Sequence, residues 1–244
     1  MLEAARRDVM EAYDIYVDGE VWKLDSSFGD KPVADVLRSN YGVLRSGALK
    51  EIGAELLARS SLCCLCALRD SSELDHYLPQ EDFPEFAALS LNLVPACSVC
   101  NNKKRRDFRN ERGEQTFIHA YLDDLPDSLP FLRASLSDAP TVTPSFHVVQ
   151  PAGMSASQFT VIAQQFELFE LDAAYSGASV ELLLERREAL EEYFGDGGAA
   201  DVMKYLDRDA RSAARRVGVN HWRPTILAAA AASPDFCSGG FRYL

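Results

Sequence analysis

Four of the six cysteines stand as Cys63-x-x-Cys66 and Cys97-x-x-Cys100. Two such pairs offer four thiolates to one tetrahedral zinc ion. The pairs are 30 residues apart, 67 to 96, too far for a simple ribbon, so the interval is expected to carry structure. Cys64 could stand in for Cys63, although Cys64-x-Cys66 is a poorer bite for one metal. An all-cysteine site has no open coordination position, so it reads as structural, tying two parts of the chain together while chemistry happens elsewhere. Cys237 reads as a small buried hydrophobe.

Between the pairs runs Glu-Leu-Asp-His-Tyr-Leu-Pro, residues 73–79. It sets Asp75 and His76 side by side in an apolar stretch. An imidazole can take a proton from water near neutral pH. A carboxylate and an amide oxygen can together hold a hard divalent cation, which neutralises charge on a phosphate. Glu73–Leu78 reads as a short strand that Pro79 ends. Asn92–Pro95 reads as a second strand, and a helix is expected from Ser98. Strand, loop, strand and helix, pinned at both ends by zinc, form a ββα unit.

This segment resembles the HNH, or ββα-metal, nucleases, and within them those with a four-cysteine zinc. The matching features are the first Cys-x-x-Cys, Leu-Asp-His with its following Pro, Asn-Leu-Val-Pro-Ala-Cys, and Cys-Ser-Val-Cys-Asn-Asn-Lys-Lys. The resemblance covers roughly residues 60–110. It implies His76 as general base and Asp75 and Asn101 as ligands of a catalytic Mg²⁺ or Mn²⁺, with Asn102 the alternative if the helix register slips. Cys63, Cys66, Cys97 and Cys100 then hold the structural zinc. Asn92 is read as structural, bonding backbone before the second strand. Adjacent strand residues face opposite ways, so a bulge is expected at Asp75–His76. The implied reaction is hydrolysis of DNA, leaving 5′-phosphate and 3′-hydroxyl ends. Related nucleases serve as effectors of bacterial anti-phage systems, some beside an ATPase, so a partner ATPase or other defence subunit is a further expectation.

Lys103, Lys104, Arg105, Arg106, Arg109 and Arg112 follow, against Asp107 and Glu111. This locally basic helix is expected to contact phosphates, chiefly through Lys103, Lys104, Arg105, Arg106 and Arg109. Nothing in it reads base edges. The chain as a whole carries −12, which argues against polyanion binding away from such a patch.

The 244 residues are 47% hydrophobic and 25% charged, a globular composition. There is no secretory h-region and no apolar run of spanning length, so a soluble cytoplasmic protein without membrane association is expected. The expected fold class is α+β: a small zinc-stapled ββα core at 61–112, an N-terminal segment 1–60, and a mainly helical region 113–244. Asp18-Gly19 between β-favouring runs suggests a hairpin. Residues 33–60 read as helical, with Leu49, Ile52 and Leu56 on one face. Residues 130–136 and 142–149 read as short strands. Two helices follow: one striped by Val180, Leu183, Leu184, Leu190 and Phe194 and stopped by Gly195-Asp-Gly-Gly198, one striped by Met203, Leu206, Ala210, Ala213, Ala214 and Val217. Lys204, Arg208, Arg211 and Arg215 share a face of the latter, read as solvated and partly paired with Asp207 and Asp209. His119, His147 and His221 have no motif around them. The C-terminal region has no nameable chemistry, and a homodimer is one expectation for it. The rival to an enzyme is a catalytically silent zinc module that binds nucleic acid or a protein.

Overall fold

The computed structural model describes residues 2–18, 21–26, 28 and 32–244. The chain is mixed α/β and mostly helical, with two small antiparallel sheets. It divides into two compact units, Met1–Asp124 and Leu125–Leu244. The division falls at 124/125 rather than 112/113, and residues 1–60 share a unit with the cysteine-bearing segment. No helix of the described residues is long and apolar enough to cross a membrane.

In the first unit, α1 (Leu2–Asp18), α2 (Ala34–Ser46) and α3 (Lys50–Leu57) precede β1 (Glu73–His76), β2 (Leu93–Ala96) and α4 (Ser98–Lys104). Tyr13 to Val17, expected as the first arm of a hairpin, lie in α1. Helical continuity from Leu2 overrides the β-favouring Ile, Tyr and Val. The proposed turn itself falls partly outside the described residues. The helix expected over 33–60 is two helices that break at Gly47. Leu56 packs with Leu44 and Leu93 in a buried cluster, but Leu49 and Ile52 are both 46% exposed. They leave the core because α3 turns Gly53, not Ile52, toward α2: a Cβ at Gly53 would run into the Leu44 carbonyl.

β1 and β2 pair antiparallel without interruption, Glu73 opposite Ala96 through His76 opposite Leu93. The expected bulge at Asp75–His76 is therefore absent, and the strand simply ends at His76. Pro95 stands in β2, as an edge position allows. α4 is seven residues long, and Arg105 closes it at φ 50. The basic stretch is thus not one helix, since Arg106, Arg109 and Arg112 lie beyond its end.

The second unit sets β3 (Leu132–Leu136) against β4 (Pro144–Val148), then α5 (Ala156–Leu168), α6 (Leu171–Leu184), α7 (Arg187–Val217), α8 (Trp222–Ala232) and α9 (Pro234–Cys237). The first striped helix is split between α6 and α7. Gly195-Asp-Gly-Gly198 interrupts α7 rather than ending it, with non-helical backbone at Gly197 and Gly198. Beyond this kink Val202, Leu206, Ala210 and Ala213 are buried and Met203 is exposed. The stripe starts one residue earlier than expected, since Val202 lies one turn before Leu206 on the same face, and Met203 falls outside it.

Candidate functional site

Cys63, Cys66, Cys97 and Cys100 are buried, and their sulfur atoms all lie within 4.8 Å of one another. A tetrahedral zinc with Zn–S bonds of about 2.3 Å spaces its sulfurs roughly 3.8 Å apart, so the donor set fits a metal of this kind. The local backbone explains the gathering. Ala67 adopts φ 48, and its N–H donates to the Cys63 carbonyl at 2.8 Å. This tight knuckle brings Cys63 and Cys66 to one side. Cys97 caps α4, with its Sγ accepting from the Cys100 N–H at 3.4 Å. The Cys64 N–H donates to the Pro95 carbonyl and the Ser72 N–H to Ala96, both at 3.0 Å, which ties the knuckle to β2. Hydrogen bonds from the Cys100 and Cys63 thiols, then from the Arg69 and Leu68 N–H groups, hold the Cys66 thiol well below the usual range. Cys64 is half-buried and outside the cluster. Cys237 is buried in the second unit, near the Ala230 carbonyl.

Beside this cluster opens a cleft of about 490 Å³. Glu73, Asp75, His76 and Asn101 border it, together with Tyr41, Arg45, Lys50 and Arg105. Both faces of β1 contribute, so the Asp75–His76 pair reaches one cavity without a bulge.

His76 is fixed on two sides. Its Nε2 lies 2.9 Å from the Ala87 carbonyl, which can only accept, so Nε2 carries the proton. The Tyr41 ring meets the imidazole edge-on at 4.4 Å, and the Tyr41 hydroxyl donates to the Leu74 carbonyl at 2.9 Å. Burial pushes the His76 pKa down to about 4, against the opposing bond to Ala87. The imidazole is therefore neutral at physiological pH, with its lone pair on Nδ1, and among the described residues no hydrogen bond occupies that nitrogen.

Asp75 is 4% exposed. Lys104 Nζ lies 3.2 Å from its Oδ2 and 3.4 Å from its Oδ1, and donates to the His76 carbonyl at 2.5 Å. The geometry gives Oδ2 no hydrogen bond. Burial raises the Asp75 pKa to about 6, although the Lys104 charge pulls the other way. Asn101 donates through Nδ2 to Glu73 Oε2 at 2.6 Å, which leaves its Oδ1 without a bond among the described residues. Asn101 is on the cleft, whereas Asn102 is exposed and does not border it.

Asn92 is fully buried. Its side chain donates to the Leu78 and Phe86 carbonyls at 3.0 and 3.1 Å and accepts from the Leu78 N–H at 2.8 Å. It thereby shapes the loop that carries Ala87. Tyr16 donates to Asn92 Oδ1 and contacts His119 Nε2, both at 2.9 Å. The Tyr121 and Leu122 N–H groups occupy His119 Nδ1, so Nε2 donates to Tyr16. Burial also pushes the His119 pKa down to about 4.

The basic residues separate. Lys104 is fully buried and is not a phosphate contact, because it lies one helical turn beyond Cys100 on the same inward face. Arg106 pairs with Asp82. Arg109 pairs with Asp25 at 3.0 Å and approaches the Trp22 and Leu24 carbonyls. Lys103 is half-buried, and Arg105 is exposed on the cleft. Glu73, Tyr41, Arg45 and Lys50 were not singled out from the sequence. Glu73 had a signal, since it stands two residues before Asp75 on the same strand face. The others lie on helices far along the chain, and nothing local assigns them to the cleft.

Among known proteins, the chain is 23% identical over 196 residues to protein ea31 of Escherichia phage lambda, covering 75% of this chain and 66% of that protein. The aligned part thus spans slightly less than two thirds of the phage protein. No family model matches the chain, and no solved structure matches it.

Proposed function

We propose that the protein is a metal-dependent endonuclease of the HNH, or ββα-metal, type, hydrolysing DNA phosphodiester bonds, with a structural zinc on Cys63, Cys66, Cys97 and Cys100. The observation that carries this reading is the held imidazole of His76. Its proton is fixed on Nε2 by the Ala87 carbonyl, which leaves the Nδ1 lone pair free, and His76 borders a cleft with oxygen donors. In this role His76 takes the proton of the attacking water. Its low pKa keeps it neutral, and the negative charge of a bound phosphate raises its basicity toward a useful range.

The donor set also suits a hard divalent cation. Asp75 supplies a buried carboxylate, its Oδ2 3.2 Å from Lys104 Nζ, and Asn101 Oδ1 is left open by the bond its amide makes to Glu73. Mg²⁺ or Mn²⁺ held by Asp75 and Asn101 would supply charge neutralisation on the phosphate and its leaving oxygen. Lys104 holds Asp75 through the ion pair. The second reading, a silent zinc module, draws support from the same ion pair, since a carboxylate engaged by a buried ammonium is a weaker cation ligand.

Plasmid nicking with added Mg²⁺ or Mn²⁺ decides between them. Wild type is expected to nick, while His76→Ala and Asn101→Ala at equal zinc content are not. DNA binding without nicking by wild type would favour the silent module. A place as the nuclease subunit of an anti-phage system, beside an ATPase or another subunit, is part of the proposal, and co-purification tests it.

A further inference from the structure

We propose that Arg45 and Lys50, at the corner between α2 and α3, form with Arg105 a clamp for the sugar–phosphate backbone of nucleic acid on the rim of the cleft. The inference rests on the nuclease reading for what the clamp serves, but its evidence is separate. All three side chains border the cleft and are exposed. None of them forms an ion pair among the described residues, whereas Arg38, Arg106 and Arg109 in the same unit each pair with an aspartate.

Three acids line the cleft as well, and among the described residues none of them forms an ion pair with these cations: Asp75 pairs with Lys104, Glu73 accepts from the Asn101 amide, and Glu81 also lines the cleft. Beyond the Asp75–Lys104 pair, three rim cations stand against Glu73 and Glu81, so the rim keeps an excess of positive charge in a chain of net charge −12. A polyanion threaded along the cleft would supply the counter-charge. The corner is rigid, since α2 and α3 meet at Gly53 with no room for a Cβ against the Leu44 carbonyl. Arg45 and Lys50 therefore stand on one wall, while Arg105 sits at the φ 50 turn that ends α4. Flexible cationic side chains on a fixed frame suit phosphate oxygens rather than base edges, so the contact is salt-dependent and indifferent to sequence.

The test uses full-length zinc-loaded protein and a labelled mixed-sequence DNA duplex, without added Mg²⁺ or Mn²⁺. Fluorescence anisotropy over a range of NaCl gives Kd and its salt slope. The Arg45→Ala/Lys50→Ala double variant is expected to lose about one to two units of slope, and roughly ten- to a hundredfold in affinity at moderate salt. Arg45→Glu is expected to weaken binding further, and Lys204→Ala to change nothing. With Mg²⁺ present, the double variant is expected to raise KM for nicking and largely keep kcat. Unchanged affinity and slope in the double variant, with wild type binding and nicking, would overturn the clamp and leave the nuclease reading intact. Clamp-dependent binding without nicking would support the clamp and sink the nuclease reading. Wild type that binds no DNA would sink both.

Discussion

The two units of the chain treat buried polar groups differently. In the first, Asp75, Glu85, Asn92, Lys104, Gln115 and His119 are all buried. In the second, the buried polar residues among those described are Gln165, Ser179 and His221, none of them Asp, Glu, Lys or Arg. Burying an ion pair seldom adds stability over a well-packed apolar pair. Burial of Lys104 and Asp75 therefore has no gain from packing to explain it. The first unit spends interior volume on holding β1, the Ala87 loop and α4 in one arrangement around the cleft. The second is a conventional helical core, with its charges on the surface in pairs such as Arg211–Asp207 and Lys204–Asp201.

The strongest way to break this comparison is to remove the cysteine cluster. Cys66→Ser or Cys97→Ser is expected to abolish zinc uptake by the cluster and the cooperative unfolding of the first unit, since a structural zinc contributes on the order of 10 kcal/mol of apparent folding energy. The second unit, with no such cluster among its described residues, should keep its own calorimetric transition. Loss of both transitions would mean that the units are not independent.

Next comes the buried pair. Lys104→Met leaves Asp75 buried without its counter-charge and is expected to cost about 3–5 kcal/mol. Adding Asp75→Asn should recover part of that, which a double-mutant cycle in urea would measure. A pH series sharpens the same point. His76 and His119, both held near a pKa of about 4 by burial, bind fewer protons folded than unfolded. The stability they contribute therefore rises as pH goes from about 4 to about 6.5. Asp75, raised to about 6, binds more protons folded than unfolded, so its contribution falls over about 4 to 6. Asp75→Asn should make the net rise steeper, and a flatter profile would contradict the assigned direction.

Smaller effects remain. Tyr41→Leu removes both the ring against His76 and the bond to Leu74, and is expected to slow nicking roughly tenfold with zinc retained, about 1.4 kcal/mol of barrier. Tyr41→Phe keeps the ring and should lose far less. Least of all, Arg211→Ala in the second unit removes an exposed i,i+4 pair worth about 0.3–0.5 kcal/mol, with no change in DNA affinity.

The sequence alone carried the order of elements around the cysteines, because Cys-x-x-Cys spacing, Pro79 and the helix after Cys97 are local signals. It singled out Asp75, His76 and Asn101, which the fold brings to one cleft. It also gave the correct partition of the cysteines, since the spacing of Cys63 and Cys66 is what a tight knuckle spans. Only the tertiary structure decided which charges are free. Lys104 and Arg105 are neighbours of one charge in a basic run, yet one is sealed against Asp75 and the other stands on the cleft rim. The difference is the helical phase that Cys100 sets and the turn at φ 50 that ends α4. Tyr41, Arg45 and Lys50 lay beyond local reach for the same reason: a helix face has no meaning until something packs against it. The two helices nearest the first cysteine, α2 and α3, read as a flank in the sequence, and in three dimensions they are a wall of the cleft.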